Sequence, residues 1–179
     1  MERELYVQMR QVEDEHWWFV GRRKIVRHIL SSLPLNGSAR ILDVGCGTGG
    51  NLRLLSEFGQ VVGVEHDQNA ASIARERNAA AVTEGSLPNA MPFASGQFDL
   101  IIALDVIEHI DDDVGSLATL NELLAPAGYL LLTVPAFPFL WSIHDEEHHH
   151  KRRYVAPTLR GVVERAGFEL RHLTYYNTW

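Results

Sequence analysis

The sequence predicts an α/β domain: a doubly wound, mostly parallel sheet with helices on both faces. Two observations carry that prediction. Short, nearly continuous apolar runs at residues 39–44, 61–64, 98–104 and 129–134 have no polar face, as expected of strands covered on both sides. Helical patterns alternate with these runs, so successive strands are joined by crossovers, which are right-handed by the general rule. In such a sheet the ligand crevice lies beyond the carboxyl ends of the strands.

The elements follow in order. Residues 2–13 form a polar, weakly periodic helical stretch. Residues 19–33 are more regular, with Ile25, Ile29 and Leu33 on one face at i, i+4 spacing and Val26 and Leu30 flanking them. Pro34 and the Asn36-Gly37 pair end this helix. Residues 39–44 form a buried strand, 51–58 a helix closed by Gly59, and 61–64 the next strand. Residues 68–78 are helical with Ala71, Ile73 and Ala74 inward, 80–83 a weak strand, and 86–96, with two prolines, a loop. The strongly apolar strand 98–104 precedes a helix at 111–124, whose first acids favour the helix dipole. Residues 129–134 make the fifth strand. Residues 136–154 are irregular and crowded with aromatics and histidines. Pro157 opens and Gly167 stops a helix at 157–166. Residues 168–176 alternate like a sixth strand.

Composition narrows the function. The chain has 179 residues, 46% hydrophobic and 22% charged, which suits one soluble globular domain spanning 1–179. Within it, 1–35 reads as an N-terminal helical cap and 136–156 as an insert on the acceptor side. A net charge of -7 repels a phosphate backbone, so no nucleic-acid partner is expected, although short basic runs occur at 22–24 and 151–153. The single cysteine, Cys46, allows no intrachain disulfide and fits a cytoplasmic location. The acid-rich first fifteen residues predict no secretory leader. The longest apolar stretch, 129–141, holds Pro135 and Pro138 and is too short to span a bilayer, so no integral membrane segment is expected.

The decisive segment runs Ile41-Leu42-Asp43-Val44-Gly45-Cys46-Gly47-Thr48-Gly49-Gly50. An apolar strand enters a glycine-dense turn that opens a helix, and bare backbone lets a ligand approach. Alone, such a turn is also an ordinary tight turn. Here Glu65 ends the next strand, where a doubly wound fold places an acid for two ribose hydroxyls. Gly85-Ser86-Leu87 follows the third strand, where an adenine edge could be read. Phe98-Asp99-Leu100-Ile101 begins the fourth. The spacing Gly45-x-Gly47-x-Gly49 differs from the G-x-G-x-x-G of dinucleotide sites. Asp43 would also repel a pyrophosphate, which argues against a nicotinamide oxidoreductase.

Taken with Val61-Val62-Gly63-Val64-Glu65, Asp105-Val106-Ile107-Glu108-His109, residues 124–130 and residues 163–169, these motifs resemble the serial motifs of class I S-adenosylmethionine (SAM)-dependent methyltransferases. The likeness is to the small-molecule subgroup, similar to the ubiquinone and menaquinone biosynthesis enzymes, and covers residues 39–169. It implies the Rossmann-like class I methyltransferase fold, with SAM as cofactor. It further implies that Asp43, Gly45 and Gly47 line the methionine side, that Glu65 holds the ribose, that Ser86 and Leu87 flank adenine, and that Leu104 sits near the sulfonium. Many relatives carry Asp where this chain has Ser86; a serine can still bond the adenine amino group.

Methyl transfer is an in-line displacement at an activated sulfonium carbon, so alignment and desolvation supply much of the catalysis. A hydroxyl acceptor also needs a base in reach. The candidates are His109, just beyond the fourth strand, and His144 and His150 in the histidine-rich run 141–154. His109 can equally be a structural histidine bonding a loop carbonyl, and Asp105 and Glu108 can cap and solvate the following helix. The run 141–154 reads first as an acceptor-binding lid, next as a solvated loop and last as a metal site, since adjacent histidines seldom converge on one ion without a framework. No metal is expected. His16-Trp17-Trp18-Phe19 with Arg22-Arg23 could form the opposite wall, or staple onto the core.

The expected function is methyl transfer from SAM to a small-molecule or a lipid- or glycan-linked acceptor; the alternative is a non-catalytic SAM-binding regulatory or scaffold module. Class I relatives usually have seven strands, and this sheet is expected to lack the last. Strand six would leave an aromatic edge at 174–179, which predicts either a piece of a longer protein or a homodimer covering that edge.

Overall fold

In a computed structural model of the protein, residues 3–176 are described. Two helices lead, α1 (Arg3–Glu13) and α2 (Trp17–Ser32), before the sheet begins. Then come β1 (Arg40–Val44), α3 (Leu52–Leu55), β2 (Gln60–Glu65), α4 (Gln68–Glu76), β3 (Ala81–Glu84) and β4 (Phe98–Leu104). The last elements are α5 (Asp113–Leu123), β5 (Leu124–Thr133), α6 (Ile143–Glu147) and α7 (Ala156–Arg165). The five strands pair in parallel in the order β3-β2-β1-β4-β5. The order reverses at β1, so the crevice between the β1 and β4 ends is the switch point of the expected doubly wound sheet.

Alternating side chains feed two cores. Ile41, Leu100, Ile102 and Leu104 pack with Val26 and Leu30 of α2 and with Leu54 and Leu55 of α3. Leu42, Val44, Ile101 and Ala103 pack on the other face with Leu117, Leu120 and Leu123 of α5 and Val162 and Val163 of α7. Successive strand residues point to opposite faces, so a strand apolar on both faces is one covered on both. α4 is capped by Asp67, whose Oδ1 accepts from the Asn69 and Ala70 amides.

Several expectations need correction. The helix expected at 51–58 is only Leu52–Leu55; Glu57 and Phe58 instead make i→i−3 bonds to Leu54 and Leu55, tightening the chain into the turn before β2. β5 begins at Leu124 rather than 129, with a register irregularity against Phe98 and Leu100. The stretch expected to be irregular holds α6, started by Ser142, whose amide donates to Asp145 Oδ2 at 2.8 Å.

The sixth strand does not form: residues 168–176 pair with no strand among the described residues. Their alternation buries Phe168 and Leu170 against the core, Tyr175 stacks on Phe137 at 4.8 Å, and the Tyr175 hydroxyl accepts from the Ala156 amide. Side-chain anchoring satisfies the alternating pattern without a ladder. Residue 2 of the first helical stretch and residues 177–179 of the expected aromatic edge lie outside the described residues. Among the described residues no helix is long and apolar enough to cross a membrane.

Candidate functional site

The glycine turn after β1 takes the shape its sequence requires. Gly45, Gly47 and Gly49 all have positive φ, at 64°, 55° and 83°. A Cβ on Gly47 would meet nothing within 4 Å, so this backbone faces open space. The Gly47 amide donates to Glu65 Oε2 at 2.9 Å, and the His66 and Asp67 amides donate to Oε1 at 2.9 and 3.0 Å. Glu65, 5% exposed, thus sits under the turn as an acceptor of backbone N–H groups.

A cavity of about 430 Å3 opens at the carboxyl ends of the strands. Gly45, Glu65, Ser86 and Leu87 line it, together with His109, His148, His149 and Lys151. Of the residues singled out in sequence for a cofactor, these first four face the cavity. Asp43, Gly47 and Leu104 are not among its lining residues; Asp43 and Leu104 are buried, whereas the Gly47 backbone faces open space. Burial raises the Asp43 carboxyl to about 7, with Arg22 opposing and Glu65 reinforcing the shift. Of the three histidines considered for the acceptor, His109 alone lines the cavity; His150 is half-buried behind it and His144 is exposed.

The N-terminal helices are tied to this site by contacts that no local pattern announces. Glu13, at the end of α1, accepts from the Thr48 hydroxyl at 2.5 Å and pairs with Arg77. Tyr6 reaches the cavity itself. Arg22 of α2 pairs with Asp105, whose Oδ1 accepts from the Thr133 hydroxyl at 2.9 Å. None of the aromatic run 16–19 is among the residues lining this cavity, and Trp17 is 66% exposed. Arg22 and Arg23 instead spend their donors on Asp105 and on the Glu13 and Asp14 carbonyls.

On the acceptor side a short 3-10 turn, Ile107–His109, carries the Glu-His pair. The expectation that Asp105 and Glu108 cap the next helix fails. Asp112 caps α5, accepting from the Gly115 amide at 2.8 Å, whereas Glu108 is fully buried. Burial and the neighbouring Asp105 raise its carboxyl to about 9. Burial and the neighbouring His150 and His148 lower the His109 imidazole to about 4, with Asp105 and the His149 backbone opposing the shift. It is therefore a neutral imidazole across the physiological range.

The run 141–154 is organised around Asp145. This buried carboxylate accepts from Arg153 through both oxygens, at 2.7 and 2.8 Å, and contacts His150 Nδ1 at 2.9 Å. Arg153 foremost holds the Asp145 carboxyl well below its usual range. The Tyr154 hydroxyl donates to Asp113 at 2.9 Å, and the Lys151 amide donates to the Glu108 carbonyl at 2.7 Å. Its buried polar contacts brace the segment through Asp145, Arg153 and Tyr154, while residues 141–144, 146 and 147 stay exposed.

Comparison with known proteins bears on this geometry. A family model described as a methyltransferase domain matches residues 18–173. The chain is 29% identical over 138 residues to a malonyl-[acyl-carrier protein] O-methyltransferase of Enterobacter lignolyticus, covering 73% of this chain and 55% of that enzyme. It is also 29% identical over 161 residues to a ubiquinone biosynthesis O-methyltransferase of Dinoroseobacter shibae, covering 80% of this chain and 64% of the relative. The chain therefore spans roughly half to two thirds of the length of these curated relatives. Among solved structures it resembles phosphoethanolamine N-methyltransferase 2 of Haemonchus contortus, with a TM-score of 0.77, 20% identity, and coverage of 94% of this chain and 42% of that one. That likeness shows the fold.

Proposed function

We propose, for a chain that belongs to the class I SAM-dependent methyltransferase family, that it transfers the methyl group of SAM to an oxygen of a small-molecule or lipid- or glycan-linked acceptor. SAM is the methyl donor of this family. The observation that carries the reading is the single cavity joining the glycine turn and Glu65 to His109 and the 148–151 wall. One end suits a cofactor and the other an acceptor, with no partition between them.

The residues present fit SAM. Open space before the Gly47 backbone leaves room for the amino-acid part, with Asp43 and Gly45 beside it. Glu65, Ser86 and Leu87 line the cavity; in this reading Glu65 accepts from ribose hydroxyls and Ser86 and Leu87 flank adenine. Leu104 backs the sulfonium side from the core. Bound there, SAM supplies an electrophilic methyl on a positively charged sulfur.

The rest is work for this chain's own residues. The His109 edge and the 148–151 wall position the acceptor and exclude water, and the Asp145–Arg153–His150 network keeps that wall in place. His144 stands outside, on the exposed face of the insert. The two relatives described above carry O-methyltransferase in their names, which supports an oxygen nucleophile. Phe139, Leu140 and Ile143, 81%, 50% and 71% exposed, give the insert an apolar rim suited to an acceptor with a lipid portion. The N-terminal helices close the cofactor end.

The test is calorimetry with SAM, S-adenosylhomocysteine and NAD, followed by turnover of SAM on a library of hydroxyl and carboxyl acceptors. Binding of the first two but not NAD, with product on at least one oxygen acceptor, is the expected result. Binding without turnover on any acceptor would favour a non-catalytic module.

A further inference from the structure

Glu108 is wholly buried, and neither of its carboxylate oxygens has a hydrogen-bond partner among the described residues. A buried carboxyl group without a partner holds its proton, and it ionises in the interior only when paired or bound to a metal. One ligand atom each from Glu108, His109 and His150 lies within 4.8 Å of the other two, close enough for modest side-chain rotation to close them on one ion.

We propose that Glu108, His109 and His150 form a binding site for a divalent first-row transition cation at the acceptor wall of the cavity. Two imidazoles and one carboxylate are a ligand set for Zn2+, Fe2+ or Co2+ that leaves coordination positions open. The proposal deepens the reading of an oxygen acceptor and rests on it for its role: the open positions take the acceptor oxygen, and a hydroxyl so bound releases its proton to water more readily.

The framework that sequence alone lacked comes from two segments meeting. The Lys151 amide donates to the Glu108 carbonyl, which fixes the histidine-rich segment against the Glu-His turn. The His150 imidazole then has one nitrogen held from behind. His150 Nδ1 contacts Asp145 Oδ1 at 2.9 Å, and Asp145 is itself clamped by Arg153 and by the Ser142 amide. The His149 backbone lies beside the His109 imidazole. A ligating histidine whose second nitrogen is held by a carboxylate or a backbone carbonyl is oriented and fixed in tautomer, as metal-binding histidines generally are. The two rings meet edge to face, their centroids 4.8 Å apart.

The experiment uses the whole chain, stripped with chelator and titrated with Zn2+, and separately with Co2+, by calorimetry. S-adenosylhomocysteine titrations run in parallel. Wild type is expected to take up one equivalent, and Glu108→Gln and His150→Ala to bind at least about tenfold more weakly with homocysteine-cofactor affinity unchanged. Because Glu108 is buried, a second measurement uses wild type alone. Imidazole NMR signals of His109 and His150 should shift on adding Zn2+, while those of His28 and His172 stay put. Absence of stoichiometric uptake, unchanged binding in both variants, or shifts confined to other histidines would each overturn the site. Loss of S-adenosylhomocysteine binding with intact Zn2+ uptake would instead strike the methyltransferase reading and leave the metal site standing.

Discussion

The Thr48 hydroxyl donates to Glu13 Oε1 across 2.5 Å, tying the N-terminal helix to the cofactor turn. Arg77 pairs with the same carboxylate and also donates to the Thr48 carbonyl at 2.7 Å. The three side chains lock the far side of the glycine turn. Glu13→Ala leaves the buried Thr48 hydroxyl without its acceptor and should lower unfolding free energy by about 2 kcal/mol. It should also weaken S-adenosylhomocysteine several-fold by loosening the turn. Urea melts and calorimetry read the two effects; a variant as stable as wild type would show that α1 does not hold the turn.

Glu65→Ala should weaken S-adenosylhomocysteine by about 1.5–3 kcal/mol, because charge-assisted hydrogen bonds to two ribose hydroxyls are lost. The Gly47, His66 and Asp67 amides lose their acceptor as well, so stability should fall in the same variant. An undiminished affinity in calorimetry would remove Glu65 from the ribose site.

Gly47→Val should fold yet fail to bind cofactor. No neighbour lies within 4 Å of the new Cβ, so the folded state meets only the strain of a φ of 55°, about 1–2 kcal/mol. The branched side chain would then occupy the space the ligand needs. Retained affinity in a folded variant would show that this turn does not approach the ligand.

The Asp43 carboxyl makes stability depend on pH. Its ordinary value is 3.8, and burial raises it to about 7 in the folded chain. Between these values the folded state holds its proton more tightly than the unfolded state, so wild-type stability falls as pH rises from about 4 to 7. Asp43→Asn should lack that slope and gain on wild type toward alkaline pH. Parallel slopes for the two proteins in denaturant melts would rule out Asp43 as the source.

Tyr154→Phe tests the bracing of the acceptor wall. The variant gives up the buried hydrogen bond to Asp113, which keeps its Arg152 partner at 3.0 Å. A stability loss of about 1 kcal/mol is expected, with S-adenosylhomocysteine affinity unchanged and turnover reduced. Equal losses of affinity and turnover would show that the wall also supports the cofactor end.

Much of this protein was legible along the chain. Strands 39–44, 61–64 and 98–104 announced themselves because burial on both faces demands continuous apolar runs, and the glycine turn because positive φ at 45, 47 and 49 demands glycine. Both signals are local, carried by a handful of neighbours. Residues 168–176 show where local pattern misleads: alternation specifies which side chains are buried, but a strand also needs a backbone partner in register, and side-chain anchoring on Phe137 and Ala156 took its place. The pairings Glu13 with Thr48, Arg22 with Asp105, and the meeting of His150 with Glu108 and His109 were decided by tertiary structure alone. They join residues up to 83 positions apart, and whether a carboxylate becomes a cap, a clamp or a buried ligand depends on which distant segment the packing of the core brings against it.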